Sequence, residues 1–137
     1  MRLISDAALA VVTIFQEAAG EPLEGKIAVG EVIRNRAALH YQSDGTIAGT
    51  VLHAFAFSGW NSTKDPNISG LRIRSVQMDD GHAILKECAD AWEQSRDSHL
   101  VKGAVLYLNP AAVAVKPAWA DPAKFITKVG RHEFYAG

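Results

Sequence analysis

The chain opens on a nearly unbroken apolar run, Ala7–Phe15, and then alternates between stretches of helical spacing and short polar breaks. Ser5 and Asp6 precede the run and suit an N-cap, so a helix is predicted over about Asp6–Ala19. Gly20 offers the left-handed position that commonly stops a helix, and Pro22 cannot continue one. Being apolar on nearly all sides, this helix is expected at the centre of the domain. Pro22 then suits the first position of a second helix, which runs to about Ala38. Its apolar face is Leu23, Ile27, Ala28, Val32 and Ile33, with Glu24, Lys26, Glu31 and Arg34 mostly elsewhere. Gly25 and Gly30 inside it each cost roughly 1 kcal/mol of helix propensity against Ala. Small residues at such places permit close packing, here of the second helix on the first.

Asp44-Gly45 marks a turn over Tyr41–Gly45. A short helix follows over Thr46–Phe55, with Ile47, Val51 and Leu52 inward. Ser62–Ser75 is polar and broken by Pro66 and Gly70, which predicts a long surface loop. Helical period returns over Met78–Arg96, where Ile84, Leu85, Cys88, Ala91 and Trp92 share a face and Asp79 and Asp80 suit the first turn. The pattern then changes. Ala104–Leu108 is short and β-prone, and Asn109-Pro110 stops it. Lys124–Val129 and His132–Tyr135 flank Gly130-Arg131 as a terminal hairpin. Helices first and a small antiparallel sheet last is the α+β order.

A length of 137 residues predicts one domain over 1–137, with a real core. The net charge of −1 gives no bulk electrostatic case for nucleic acid or an acidic membrane. The single cysteine, Cys88, allows no internal disulfide and is read as core filler on its helix face. Met1–Asp6 reaches an acid too early for a signal peptide, and the later apolar run is too short for a membrane span. The expected protein is soluble, made without a secretion signal and monomeric.

Metal catalysis is poorly supported, since His40, His53, His82, His99 and His132 are scattered and show no one-turn pair. Ser58 sits in no nucleophile elbow, and there is no phosphate-binding glycine loop. No cofactor is expected. Carboxylates with aromatic residues remain. Glu17 falls in the last turn of the first helix, where unpaired carbonyls and an apolar neighbourhood both disfavour a charged acid. An acid kept protonated near neutral pH is what a proton donor requires; the competing reading is a solvated helix-end Glu. Glycoside cleavage needs such a donor, flat apolar faces and hydrogen-bonding side chains. Trp60, Tyr107, Trp119 and Tyr135 could supply faces, and Ser58, Asn61 and Asn109 hydrogen bonds; for each aromatic taken alone, core packing competes. Glu21 could act beside Glu17 or cap the second helix. Glu24 and Glu31 read as solvated; Arg34 and Arg36 as partners of nearby acids; Asn35 as a tie from the helix end to a loop.

Four ordered blocks carry a family resemblance. Glu17-Ala18-Ala19-Gly20-Glu21-Pro22, followed by Gly25–Arg36, resembles the opening of the SleB/CwlJ cell-wall hydrolases, which have a Glu-Ala-Arg-Gly-Glu turn and a helix ending in Asn-Arg. Phe57-Ser58-Gly59-Trp60 is similar to that family's Phe-Ser-Cys-Trp. Ala104–Pro110 is similar to its Ala-Leu-Tyr-Phe-x-Asn-Pro strand, and Val129–Tyr135 to its closing Ile-Gly-Asn-His-x-Phe-Tyr. The resemblance implies a lysozyme-related α+β fold. It also implies cleavage between N-acetylmuramic acid and N-acetylglucosamine by a lytic transglycosylase, with Glu17 as the single acid/base. The expected substrate-binding set is Glu21, Ser58, Trp60, Asn61, Tyr107, Asn109, Trp119, His132 and Tyr135, and the expected partner is the peptidoglycan glycan strand. Ala19 departs from the family's Arg, Gln16 from a small residue and Gly59 from Cys. A phage-type endolysin, held in the host cytoplasm until released to the wall or periplasm, is the expected setting; export by another route is the alternative. A non-catalytic peptidoglycan-binding or virion module is the rival from another class, and an amidase needing a metal or thiol is a third.

Overall fold

The computed structural model describes residues 5–53, 56–57 and 81–137. Among the described residues, four helices precede a small sheet: α1 (Asp6–Ala18), α2 (Leu23–Leu39), α3 (Ile47–Val51), α4 (Gly81–Gln94), β1 (Leu106–Leu108), β2 (Phe125–Val129) and β3 (His132–Tyr135). The predicted long loop Ser62–Ser75 lies outside the described residues, as do Ser58, Trp60 and Asn61.

The Ser5 hydroxyl caps α1 by accepting from the Ala8 N–H at 3.1 Å. Gly20 does not end the helix as expected. The C-cap is Ala19 in ordinary right-handed geometry, and Gly20 is not among the left-handed glycines. Its missing side chain leaves room for Arg131, whose Nη2 would lie 3.2 Å from a Cβ there. Pro22 is the N-cap of α2, one position earlier than predicted.

The central helix is α2, not α1. Eleven of its 17 residues are buried, against five of 13 in α1, whose first turn is exposed. Two of the charges expected outside, Lys26 and Glu31, are buried because the protein supplies each with partners. Lys26 Nζ donates to the Glu21 carbonyl and faces Glu87 at 3.4 Å. The Glu31 carboxylate accepts from Ser98 Oγ at 2.6 Å and from the Leu100 and Val101 N–H groups at 3.0 and 3.1 Å, tying down the chain after α4. Arg34 and Arg36 are held by more than nearby acids. They bond Ser95 Oγ and the Trp92 and Val105 carbonyls, and they stack on Trp92 and Phe57. Asn35 does tie α2 onward, donating to the Ala104 carbonyl at 2.9 Å. Gly30 lies chiefly against Ser95 at the end of α4, with Ile14 of α1 further off.

The three strands run antiparallel in the order β1-β3-β2. Gly130 takes φ +59° at the first position of the two-residue loop between Val129 and His132, the geometry that matches hairpin twist. Alternation along β3 gives the sheet two sides. Phe134 is buried with Ala28 and Val32 of α2, and Tyr107 packs on that cluster. Tyr135 is buried with Leu106, Leu108 and Ala120, against which Trp119 and Tyr41 pack.

Candidate active site

Glu17 is half-buried in the last turn of α1, where the sequence placed it. Tyr107 comes from β1. Its pairing sets Tyr107 opposite Phe134 of β3, with Leu106 and Leu108 alternating to the other side. From there the Tyr107 hydroxyl donates to the Glu17 carboxyl. Burial of that hydroxyl, reinforced by the Glu17 charge, pushes its pKa well above the ordinary tyrosine value. Tyr107 therefore stays a neutral hydrogen-bond donor at any working pH.

The His132 ring meets Tyr107 edge-on, 5.1 Å between centroids. Its Nδ1 stands 3.2 Å from Glu21 Oε1, in a geometry too bent for a hydrogen bond. Burial lowers the His132 pKa; the Glu21 charge opposes that and the Arg131 charge adds to it. The imidazole is thus favoured neutral.

Glu21 does not cap α2, which has no side-chain cap bond. It is buried, and its carboxylate reaches across to the hairpin. Oε1 accepts from the Arg131 backbone N–H at 3.0 Å and Oε2 from Arg131 Nε at 2.9 Å. Burial by itself would raise its pKa, but the two Arg131 bonds and the His132 and Arg131 charges outweigh it and hold the carboxyl below its ordinary value. A carboxylate so gripped is an anchor and a poor proton donor.

Arg36 completes the surroundings of Glu17. It is buried, donates through Nε to the Val105 carbonyl at 2.6 Å, and lies 4.9 Å from the Phe57 ring centre. Its Nη1 is buried with no hydrogen-bond partner among the described residues. Burial lowers its pKa, while the charges of Tyr107, Tyr41 and Glu17 act in the opposite direction. The first helix's C-terminal turn thus faces a buried cation as well as carbonyl dipoles. The sequence expectation gave Arg36 a nearby acid as partner, and the Glu17 charge does act on it. The signal that it points inward was its spacing, three and four residues after Ile33 and Val32 on the apolar face.

Glu17, Tyr107, His132 and Glu21 are therefore brought together by three elements, the α1–α2 corner, β1 and β3. Trp119 and Tyr135 are not brought there. They meet edge-on at 5.7 Å on the other side of the sheet, and the Tyr135 hydroxyl donates to Glu133. Asn109 follows β1 directly, and its side-chain oxygen caps the short turn Pro110–Ala112 through the Ala111 N–H. No group of three or more His, Cys, Asp or Glu suited to a metal occurs among the described residues. Cys88 is fully buried and its thiol pKa is pushed up by burial to about 11, which suits packing and not nucleophilic attack. No described helix is long and apolar enough to cross a membrane.

A search of curated proteins gives no match. Among solved structures, the chain is similar to the catalytic domain of the germination-specific lytic transglycosylase SleB from Bacillus anthracis. Identity is 24% and the TM-score 0.67, over 95% of this chain and 93% of that one. It is similar also to the catalytic domain of the Bacillus cereus SleB protein, at 22% identity and TM-score 0.67, over 95% and 88%. Likeness at those identities shows the fold, the lysozyme-related α+β arrangement expected from the sequence. A family model described as cell wall hydrolase matches residues 20–135, beginning just after Glu17 and taking in Glu21, Arg36, Tyr107 and His132. Because that match runs from the α1–α2 corner through the closing hairpin, the chain belongs to the cell wall hydrolase family, of the SleB/CwlJ type, and so to the enzymes that degrade cell-wall peptidoglycan.

Proposed function

We propose that the protein cleaves the bond between N-acetylmuramic acid and N-acetylglucosamine as a lytic transglycosylase, with Glu17 as its one acid/base. The observation that carries this reading is the pairing of Glu17 with the Tyr107 hydroxyl beside a buried Arg36. In the first step Glu17 gives its proton to the glycosidic oxygen as the bond to the muramic carbon breaks. In the second, the Glu17 carboxylate takes the proton from the muramic acid's own hydroxyl as that oxygen closes on the same carbon. Glu17 ends protonated, as it began, and no water is consumed. Tyr107 and Arg36 serve the first step, since a donor and a cation both stabilise the carboxylate that proton donation leaves behind. Glu21, the other carboxylate of the corner, is occupied by Arg131, which agrees with a one-carboxylate mechanism.

Product analysis on purified peptidoglycan tests the reaction type. Anhydromuramic ends are expected; reducing muramic ends would make the enzyme a hydrolase. Host-cell lysis is proposed as the setting on the sequence expectation alone. Its test is whether co-expression with a protein that opens the inner membrane clears the culture.

A further inference from the structure

The reaction just described leaves one charged residue of the corner unused. Arg131 is the second residue of the β2–β3 loop. Its backbone N–H and its Nε both bond Glu21, which is 5% exposed, while the Arg131 side chain remains 66% exposed. A buried acid thus grips the guanidinium at its inner edge and leaves the outer edge to solvent. A long cationic side chain normally loses rotamer freedom when it binds something, and here much of that freedom is already gone.

Gly20 leaves room for the placement. A Cβ on residue 20 would lie 3.2 Å from Arg131 Nη2, so the guanidinium rests over the turn that leaves α1. That turn follows directly on Glu17. On the other side, the next residue after Arg131 is His132, whose ring packs on Tyr107. Arg131 therefore stands at the rim of the Glu17 site, fixed from two directions.

A guanidinium whose outer N–H groups are free among the described residues, and whose position is set, is a receptor for a carboxylate. On a glycan strand, carboxylates hang from the muramic acid arm, in the peptide stem or, where the stem is gone, on the lactyl group. We propose that Arg131 is a specificity-determining residue that binds a carboxylate on the muramic acid arm of the substrate. The proposal rests on the glycosidase reading above.

The experiment compares the parent, Arg131→Gln and Arg131→Lys on three substrates. These are purified peptidoglycan, the same material with its carboxylates capped as amides by carbodiimide coupling to glycinamide, and stem-free glycan from amidase digestion. The parent should show a KM about tenfold higher on capped than on native material, the size of one charge-assisted hydrogen bond. Arg131→Gln should show that higher KM on both, and Arg131→Lys a value between. Stem-free glycan with the KM of capped material assigns the contact to a stem carboxylate; with the KM of native material, the lactyl carboxylate bared by stem removal serves Arg131 equally well. Arg131→Gln keeps the backbone bond to Glu21, and its thermal midpoint reports any loss of fold. A parent indifferent to capping, or an Arg131→Gln loss of the same size on both materials, overturns the proposal. Co-sedimentation of Glu17→Gln protein with native and capped material reads the same contrast without turnover. A catalytic reading that fails therefore leaves the binding proposal separately decided.

Discussion

Glu21→Gln changes one oxygen to nitrogen at nearly constant size. In the parent the carboxylate accepts two hydrogen bonds from Arg131, at 3.0 and 2.9 Å, and lies 3.2 Å from His132 Nδ1. Glutamine can accept through one oxygen only, and its amide nitrogen then faces another donor. One charge-assisted bond is lost, worth roughly 1.5–3 kcal/mol. The Arg131 side chain is mostly exposed, which moves the cost toward the lower end, about 2 kcal/mol. For a chain of this length that corresponds to a fall in midpoint of roughly 6–8 °C. The pH dependence is sharper than the magnitude. The folded state holds the Glu21 carboxyl below its ordinary value of 4.5, so below that value the unfolded chain binds more protons than the folded one. The stabilisation is complete above pH 4.5 and is lost as pH falls through the folded value. Parent and variant should therefore differ most near neutrality and converge in acid, where a protonated Glu21 resembles Gln. Urea unfolding followed by tryptophan fluorescence between pH 3 and 7 measures both curves. Parallel curves would refute the assignment of Glu21 as the hairpin's charged anchor.

His132→Gln should remove a second acid-sensitive contribution. Burial depresses the His132 pKa, so the parent loses stability as pH falls from the ordinary histidine value of 6.5 toward the folded one, and the variant should be flatter across that window, read by thermal melts from pH 5 to 7. Tyr107→Phe removes the donor to Glu17 and should lower kcat about tenfold, the scale of one positioning hydrogen bond, in turnover assays on peptidoglycan; unchanged kcat contradicts the pairing. Gly30→Ala sets a Cβ 2.8 Å from Ser95 Oγ, which is itself held by Arg34 and the Trp92 carbonyl. Overpacking of about 1–3 kcal/mol should outweigh the roughly 1 kcal/mol gain in helix propensity, and a raised midpoint would show that α4 yields there.

The sequence carried the element order well because its signals are local. Ser5, Asp44-Gly45, Asn109-Pro110 and Gly130 each act within a few residues, and the helices and hairpin fall close to where these mark them. What it hid was which helix is central. Periodicity counts a charge as a vote for solvent, and α2 carries Lys26, Glu31 and Arg36 at buried positions with hydrogen-bond partners 61 to 70 residues away in the chain, save for the Glu21 carbonyl. The site followed the same division. That Glu17 lies in the last turn of a helix was legible from the local pattern, and that Tyr107 and His132 lie on strands was legible from theirs. Glu21's true partner was not, because the hairpin that supplies it lies 110 residues further on. Nor could spacing alone show that Trp119 and Tyr135 fall on the other side of the sheet from Tyr107. That depends on the register of β1 with β3.

The most direct test of the account is soluble fragment release from purified peptidoglycan by the parent and by Glu17→Gln protein of matched thermal midpoint. A single acid/base residue predicts a rate loss on the order of 10²–10⁴-fold with retained binding to the insoluble wall. A Glu17→Gln protein that releases fragments at the parental rate would contradict the assignment and move the chemistry to another residue.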